Sequence, residues 1–476
     1  MSRKPLLFAG SAVVASVVVA TALSAQLFGT RAEHYIRTVV EQGAAGVPAT
    51  VSRYDRGWFS SEFDITVQLP TEPVRAVLAD PDSYEDDTVP AVFSHRVYHG
   101  PVLFGSDGPR LGLARVEASY RQLPVPQALL APPFRDAPPI NIRAHVRFDE
   151  RIRVRFDAQE TEWQTDHGTV HHGGLNGAFD LDEAAGRVTG QVTVAGVEVV
   201  NRNGGILALE PLVFSADLTR ALPDIWLGTG ELTVDELFAN TDDRSLTLAK
   251  LSMVSTAERD DRRPAFMRQS TDLRVETIAW EADGERSDLG PAMVSMRASG
   301  LDMAALQSMQ QANRALQLAI IGQRAPSPRD QQRLAEAFEA VLAGGPTLEI
   351  ADGRVPTTLG AATFDQSVRM APGFAYRLSQ PRSIITGLSA GGQLRMDGPL
   401  AQWLAEEWVL SQSEAGRQDV DEATLTALGE TLIGEFVDQG YLRRDGDAVI
   451  VTHRVDRGRV FVGETEVYDL TTALGG

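Results

Sequence analysis

The chain has 476 residues, a formal net charge of -20 at pH 7 and no cysteine. The missing cysteine excludes thiol catalysis, thiolate metal sites and disulfide bonds, and a body this acidic would repel nucleic acid. The length predicts two or three domains or one extended architecture.

The first predicted element is a transmembrane helix over residues 5–30, which follows a cytoplasmic tail over residues 1–4. Residues 5–30 carry no charged side chain, and about 20 apolar residues suffice for a helix to cross a bilayer. The cations Arg3 and Lys4 favour a cytoplasmic N-terminus. We therefore predict a single-pass protein of the bacterial inner membrane, with the bulk of the chain in the periplasm. The alternative is a secretory signal that is cleaved near Ala22 or Ser24.

The next segments carry a resemblance to a known family. Residues 31–46 have the spacing of a short stalk helix, and residues 62–69 alternate apolar and polar side chains as a strand does. Between them, residues 52–61 read SRYDRGWFSS. This order resembles the YdgA family of bacterial envelope proteins, and His99-Gly100-Pro101 and Leu222-Pro223 add support. The resemblance implies an inner-membrane anchor and a periplasmic body, and it supplies no catalytic residues.

The clearest strand pattern predicts an antiparallel hairpin. In residues 142–148 and in residues 152–158, apolar side chains at even-numbered positions alternate with polar or charged ones at odd-numbered positions. The two runs are joined by a turn near Asp149. One face would be buried and the other would carry arginines, which favours binding of an anionic lipid headgroup, a lipopolysaccharide phosphate or an acidic partner. The alternative is pairing with carboxylates on neighbouring strands. The predicted binding residues are Arg143, Arg147, Arg151, Arg153 and Arg155.

The remaining pattern predicts a β-rich α+β fold with one or more long antiparallel sheets and a few covering helices. Residues 31–300 form the β-rich extracytoplasmic region that begins with the stalk helix. Residues 301–345 form a pair of helices, for which Asp302 and Ser327 are the predicted N-caps. Residues 346–476 form a C-terminal α+β region.

Two groups of residues suggest chemistry. Gly387–Gly391 has the spacing of a hydrolase nucleophile turn around Ser389, but a strand, not a helix, is predicted after it. We therefore predict a glycine-rich hairpin there, preceded by a strand over residues 383–386. His167, His171 and His172 form the one histidine cluster of the sequence, and no further ligand is nearby, so a surface loop is favoured over a zinc site. We predict no catalytic residue, metal or cofactor.

The sequence as a whole predicts a non-catalytic envelope protein that acts in interaction, as a scaffold, or in lipid handling. The candidate partners are the inner membrane through the N-terminal helix, a second copy of the chain, and a lipid or envelope protein; nucleic acid is not among them. The alternative is a periplasmic hydrolase that uses Ser389 or a histidine. Lipid handling predicts an exposed groove lined by Leu, Val and Met. A hydrolase predicts a serine, a histidine and a carboxylate within hydrogen-bond reach.

Overall fold

A computed structural model describes most of the chain after residue 48. The predicted tail, membrane span and stalk helix lie outside the described residues. The described residues contain no helix that is both long and apolar enough to cross a membrane. The described ranges are 49–56, 60–70, 88–99, 102–106, 108–121, 139–149, 151–165, 168–241, 244–282, 284–321, 325, 327–412 and 421–473.

The described residues form mostly antiparallel β-sheet with six helices, as the alternating patterns predict. Contacts divide the chain into two compact units. Unit 1 contains Met1–Asp242 and Gln310–Arg333, and unit 2 contains Asp243–Met309 and Leu334–Gly476.

Unit 1 is built on strands in which apolar and polar side chains alternate. Its strands are β1 (Ala49–Arg56), β2 (Ser60–Pro70), β3 (Thr88–His99), β4 (Val102–Gly105), β5 (Gly108–Leu111), β6 (Ala114–Arg121), β7 (Pro139–Val146), β8 (Arg151–Ala158), β9 (Thr161–Thr165), β10 (Gly168–His172), β11 (Leu175–Asp182), β12 (Arg187–Val194), β13 (Val197–Asn201), β14 (Ile206–Leu209), β15 (Leu212–Leu222) and β16 (Ile225–Thr241).

The main sheet of unit 1 has antiparallel neighbours in the order β1, β2, β3, β6, β7, β8, β11, β12, β15 and β16. The predicted hairpin is confirmed, because β7 pairs with β8 and places Ile142 opposite Phe156. One face of the first six strands is the core, where Phe63, Val97 and Val154 are fully buried. The alternation of apolar and polar residues in the sequence therefore determines which face of each strand points into the core.

The strands of unit 2 are again antiparallel, and each helix in the described residues follows or precedes one of them. The strands are β17 (Arg244–Arg259), β18 (Phe266–Ala282), β19 (Glu285–Leu289), β20 (Ala292–Asp302), β21 (Thr347–Thr357), β22 (Gly360–Met370), β23 (Leu388–Met396), β24 (Leu442–Asp445), β25 (Ala448–Asp456), β26 (Arg459–Val462) and β27 (Thr465–Asp469). The helices are α1 (Met303–Ile321), α2 (Pro328–Ala343), α3 (Pro381–Gly387), α4 (Gly398–Gln412), α5 (Glu422–Asp438) and α6 (Leu470–Ala473).

The predicted N-caps of the first two helices are confirmed. The Asp302 carboxylate accepts hydrogen bonds from the backbone N–H groups of Ala304 (2.9 Å) and Ala305 (3.1 Å) at the start of α1. The Ser327 hydroxyl accepts the N–H of Asp330 at 3.2 Å, at the start of α2. A side-chain oxygen at these positions satisfies N–H groups that have no partner within the helix.

The strand predicted over residues 383–386 is wrong, because these residues belong to α3. Pro381 lies in the first turn of that helix, where a missing N–H costs nothing and a fixed φ favours the helical conformation. The predicted glycine-rich hairpin is also wrong, since Gly387 ends α3 and Gly391 lies inside β23.

Candidate functional site

The candidate site is one face of the main sheet of unit 2. Its strands are neighbours in the order β17, β18, β20, β21, β22, β23 and β25. Successive side chains of a strand point to opposite faces, and the pairing register brings the apolar ones together. We call this surface the apolar face. Its larger members are Leu251, Met253, Leu273, Val275, Val294, Met296, Leu348, Ile350, Val355, Phe364, Val368, Leu394, Met396, Val449 and Val451.

The apolar face is continuous across neighbouring strands. Met253 on β17 lies opposite Leu273 on β18, which in turn lies opposite Val294 on β20. Two residues further along β20, Met296 lies opposite Ile350 on β21. Directly opposite residues have Cβ atoms about 5 Å apart, so their side chains touch. The face is therefore mainly apolar, with Thr271 opposite Met296 and Gln366 opposite Ile350 as polar members.

One end of the apolar face is covered by helices. Ala401 and Ala405 of α4 and Ile433 of α5 form a buried cluster with Val449 of β25, and Met396 packs against it. Val449 is 3% exposed. At this end the apolar side chains form an ordinary core between a sheet and two helices.

The other end of the apolar face is open. Leu348 is 50% exposed and Met296 is 39% exposed, and Met253, Leu273 and Val355 are also exposed. An exposed apolar surface of this kind on a folded protein is typical of an interaction site or a ligand-binding groove. We call these five residues the open patch.

The opposite face of the same sheet is polar. Arg274 forms a two-point hydrogen bond with Glu276, and Ser295 donates to the Asp272 carboxylate at 2.6 Å. The hydrogen bond from Arg274 lowers the pKa of the Glu276 carboxyl below its usual range. Asp272, Arg274 and Glu276 of β18 therefore lie on the face away from the open patch.

Ser389 lies outside the apolar face and lacks the surroundings of a hydrolase nucleophile. It is the second residue of β23, directly after α3. Its hydroxyl donates to the carbonyl oxygen of Arg369 at 3.5 Å, and its partner across the strand pair is Asp456. A nucleophile elbow needs a strand followed by a helix, and here the helix comes first.

The predicted anion-binding arginines lie in unit 1 on the polar face of β7 and β8 and in the turn that joins these strands. Arg155 is exposed, has no carboxylate partner among the described residues, and lies opposite Arg143 across the strand pair. The four others form ion pairs with carboxylates: Arg143 with Asp157, Arg147 with Asp149, Arg151 with Asp182, and Arg153 with Asp180. Binding of an anionic partner stays a prediction, and Arg155 is the residue that is open to it.

A concavity of about 580 Å³ lies on the same polar face of unit 1, and Arg143 forms part of its lining. Cations and carboxylates alternate within it. Arg96 pairs with Glu62, and Glu117 accepts hydrogen bonds from the N–H and hydroxyl of Ser106 at 2.9 and 3.0 Å. Groups that satisfy one another in this way leave no net charge to attract a ligand.

The histidine cluster is only partly described. His171 and His172 lie in β10, so the predicted surface loop is wrong for these two, and His167 lies outside the described residues. His171 Nε2 is 3.6 Å from a carboxylate oxygen of Glu160. The described residues contain no group of three or more side chains that could hold a metal ion.

The alternation of side chains predicts strands at several positions of the open patch, but it does not predict that the patch is exposed. The residues of β18 and β21 alternate as strands do, yet alternation is the same whether a face is later covered or left open. Local pattern also does not predict that Trp403 and Trp408 of α4 are exposed.

Comparison with known proteins gives one result. A family model described as a bacterial protein of unknown function (DUF945) matches residues 2–467. No curated protein and no solved structure matches the chain.

Proposed function

The chain belongs to the DUF945 family of bacterial proteins of unknown function, and from this premise we propose that it is a membrane-tethered envelope protein that binds the acyl chains of a lipid on the open patch. The proposal rests on a difference within one sheet face. Helices cover this face at Val449, whereas the same face is exposed at Leu348. Apolar surface left in water costs free energy, and an apolar occupant would regain it.

The composition of the open patch favours a chain-like apolar occupant. Two of its five residues are methionines, whose unbranched and polarisable side chains adapt to ligands of irregular shape. Asp272, Arg274 and Glu276 of β18 are on the other face, so an acyl chain on the patch would not meet these ions. Binding therefore needs no chemistry at Ser389 or at a histidine, and the protein acts by binding rather than by turnover.

The predicted membrane span supplies the reason to choose a lipid over another apolar occupant. Residues 5–30 are uncharged, and a helix of that length would hold the chain at a bilayer. The most abundant apolar molecules at that place are lipids. The span and the periplasmic location are part of this proposal.

The test is photo-crosslinking of the full-length chain in mild detergent with a diazirine derivative of palmitic acid. After irradiation and proteolysis, mass spectrometry should find the label on peptides of β17, β18, β20 and β21. Leu348→Glu and Met296→Glu should each reduce labelling several-fold, because a carboxylate on the patch would have to be desolvated. Both positions are exposed, so the fold should tolerate the change.

The matched control is Thr452→Glu, which adds the same group at an exposed position on the polar face. Labelling should stay at the level of the unmodified chain. The proposal is wrong if the label is spread evenly over both faces. It is equally wrong if the patch is protected from label by a second copy or by residues 5–30, which crosslinked peptide pairs would reveal.

A further inference from the structure

A cleft in unit 1 lies between the turn that joins β15 to β16 and one side of α1. Its volume is about 390 Å³, within the range of about 300–1,000 Å³ that is usual for small-molecule sites. All of its lining residues belong to unit 1. Six of them carry an indole ring, an amide or a charge, namely Asp224, Trp226, Gln310, Gln311, Asn313 and Arg314.

Two elements supply these side chains, and they meet at Asp224. Pro223 and Asp224 form the turn between the two strands, in which proline fixes the backbone φ angle. Trp226 follows as the second residue of β16. The Asp224 carboxylate accepts a hydrogen bond from Nε2 of Gln311 at 3.1 Å and lies 3.9 Å from the Arg314 guanidinium. These contacts hold the turn against the helix.

The side of α1 that faces the cleft is polar. The four lining residues between positions 310 and 314 occupy one half of the helix circumference, because one turn takes about 3.6 residues. Ala312 lies on the opposite half and is 7% exposed. Gln310 and Asn313 are exposed, and neither has a hydrogen-bond partner among the described residues. Their amides can therefore donate to a ligand and accept from it.

The groups in the cleft match the two kinds of surface that a sugar ring presents. Trp226 is 37% exposed, and its indole offers a flat apolar face of negative charge density on which the C–H groups of a pyranose ring can stack. The amides and the Asp224 carboxylate can bind adjacent hydroxyl groups, which both donate and accept. Asp224 and Arg314 carry opposite charges, so the cleft favours an uncharged ligand over an ion.

We infer that this cleft binds an uncharged hexopyranose unit of a saccharide, which stacks on Trp226 and is hydrogen-bonded by Asp224, Gln310 and Asn313. An acyl chain would not fit, because it would desolvate the amides and the carboxylate without replacing their hydrogen bonds. A phosphate group would meet the Asp224 carboxylate. The cleft is in unit 1 and the open patch is in unit 2, so the inference does not depend on lipid binding.

The test is saturation-transfer NMR of the full-length chain in lauryldimethylamine oxide, a detergent without a sugar headgroup. The probes are maltose, cellobiose, lactose, mannobiose and N,N′-diacetylchitobiose, and adenosine serves as a ring that can stack but is not a sugar. We expect saturable binding of at least one disaccharide and none of adenosine. Trp226→Ala should weaken the binding of that disaccharide by about tenfold or more, because the stacking surface is lost. The matched control is Trp280→Ala, which removes an exposed tryptophan outside the cleft and should leave the affinity unchanged.

A second variant covers the case in which the loss of Trp226 disturbs its strand. Gln310→Ala changes an exposed helix position, where alanine is well tolerated, and loss of its hydrogen bonds should weaken binding by about three- to tenfold. Gln331→Ala, which removes an exposed amide of α2 outside the cleft, should not. The inference is overturned if no disaccharide binds, if adenosine binds as well as the best disaccharide, or if the affinity is unchanged in either cleft variant. Acyl photo-crosslinking reports on the open patch alone, so the two proposals can fail separately.

Discussion

His95 shows how a single buried residue can make stability depend on pH. It lies on β3 between Phe93 and Val97, on the face that forms the core of unit 1. Its ring is stacked on Phe63 with the centroids 4.7 Å apart, and Nδ1 is 3.1 Å from the carbonyl oxygen of Phe93. Burial disfavours the charged imidazolium and lowers the pKa of His95 to about 4.

The first prediction concerns the free energy of unfolding below neutral pH. The unfolded chain binds a proton at His95 near pH 6.5, whereas the folded chain does so only near pH 4. The contribution of neutral His95 to the free energy of unfolding is therefore complete above pH 6.5, and it is lost progressively as the pH falls towards 4. The shift corresponds to about 3 kcal/mol. Urea unfolding at a series of pH values measures it.

His95→Phe provides the comparison, since phenylalanine keeps a ring against Phe63 and does not titrate. Its urea midpoint should fall less steeply between pH 6.5 and 5 than that of the unmodified chain. His145 and His172 also have pKa values lowered by burial, so some slope remains in the variant. Equal slopes in the two proteins would contradict the prediction, because they would show that His95 takes up its proton at the same pH in the folded and unfolded chains.

At the scale of elements, β8, β11 and β15 each contribute one phenylalanine to a row of rings on one face of the sheet. Phe179 is 6.2 Å from Phe156 and 6.5 Å from Phe214, measured between ring centroids. Gly190 on β12 lies directly opposite Phe179. A Cβ atom at Gly190 would be 2.2 Å from the carbonyl oxygen of Ala178 and 2.6 Å from the Phe179 ring. The close approach of these two strands therefore requires glycine.

The second prediction is that Gly190→Ala lowers the free energy of unfolding by about 1–3 kcal/mol, because backbone and ring must shift to accept one methyl group. The control is Gly434→Ala in α5, where an added Cβ meets nothing within 4 Å. That change should raise the free energy of unfolding by about 0.5–1 kcal/mol, because alanine has a higher helix propensity than glycine. Thermal unfolding followed by circular dichroism measures both changes in stability. A Gly190→Ala variant that is as stable as the unmodified chain would contradict the close packing at Gly190.

Helix α3 shows why a local pattern can predict the wrong element. Its β-branched residues Ile384, Ile385 and Thr386 favour a strand by propensity. In the fold, the buried Tyr376 hydroxyl lies 2.9 Å from the carbonyl oxygen of Ala371 and 3.2 Å from that of Gly387. These hydrogen bonds tie the end of α3 to residues that precede the helix and lie outside the strand pattern, and such contacts outweigh propensity differences of a few tenths of a kcal/mol.

At the scale of the whole molecule, the third prediction concerns the membrane span. The double variant Val13→Glu, Val18→Glu places two carboxylates in the uncharged stretch, and a charged residue near the centre of a span costs about 2.5–3.5 kcal/mol on insertion scales. The full-length chain should then move from the membrane fraction to the soluble fraction. Fractionation with carbonate washing, followed by immunoblotting, detects the change.

Gln42→Glu is the control, because it adds a carboxylate outside the stretch and should leave the chain in the membrane fraction. Mass spectrometry of the N-terminus separates the anchor from a secretory signal. An intact N-terminus supports the anchor, whereas a mature chain that begins near Ala22 or Ser24 shows cleavage and removes the tether from the proposed function.

The sequence by itself determined many of the strands and which side chains share a face, two helix caps and the absence of thiol chemistry, because each depends on residues close together in the chain. It did not determine which apolar faces are covered. Leu348 and Val449 occupy equivalent positions in the alternation of their strands, yet one is open and the other is buried under α4 and α5. Coverage depends on which helices pack on which strands, and that is decided by contacts between separate segments, such as the contact of Ala401 with Val449, which is 48 residues further along the chain.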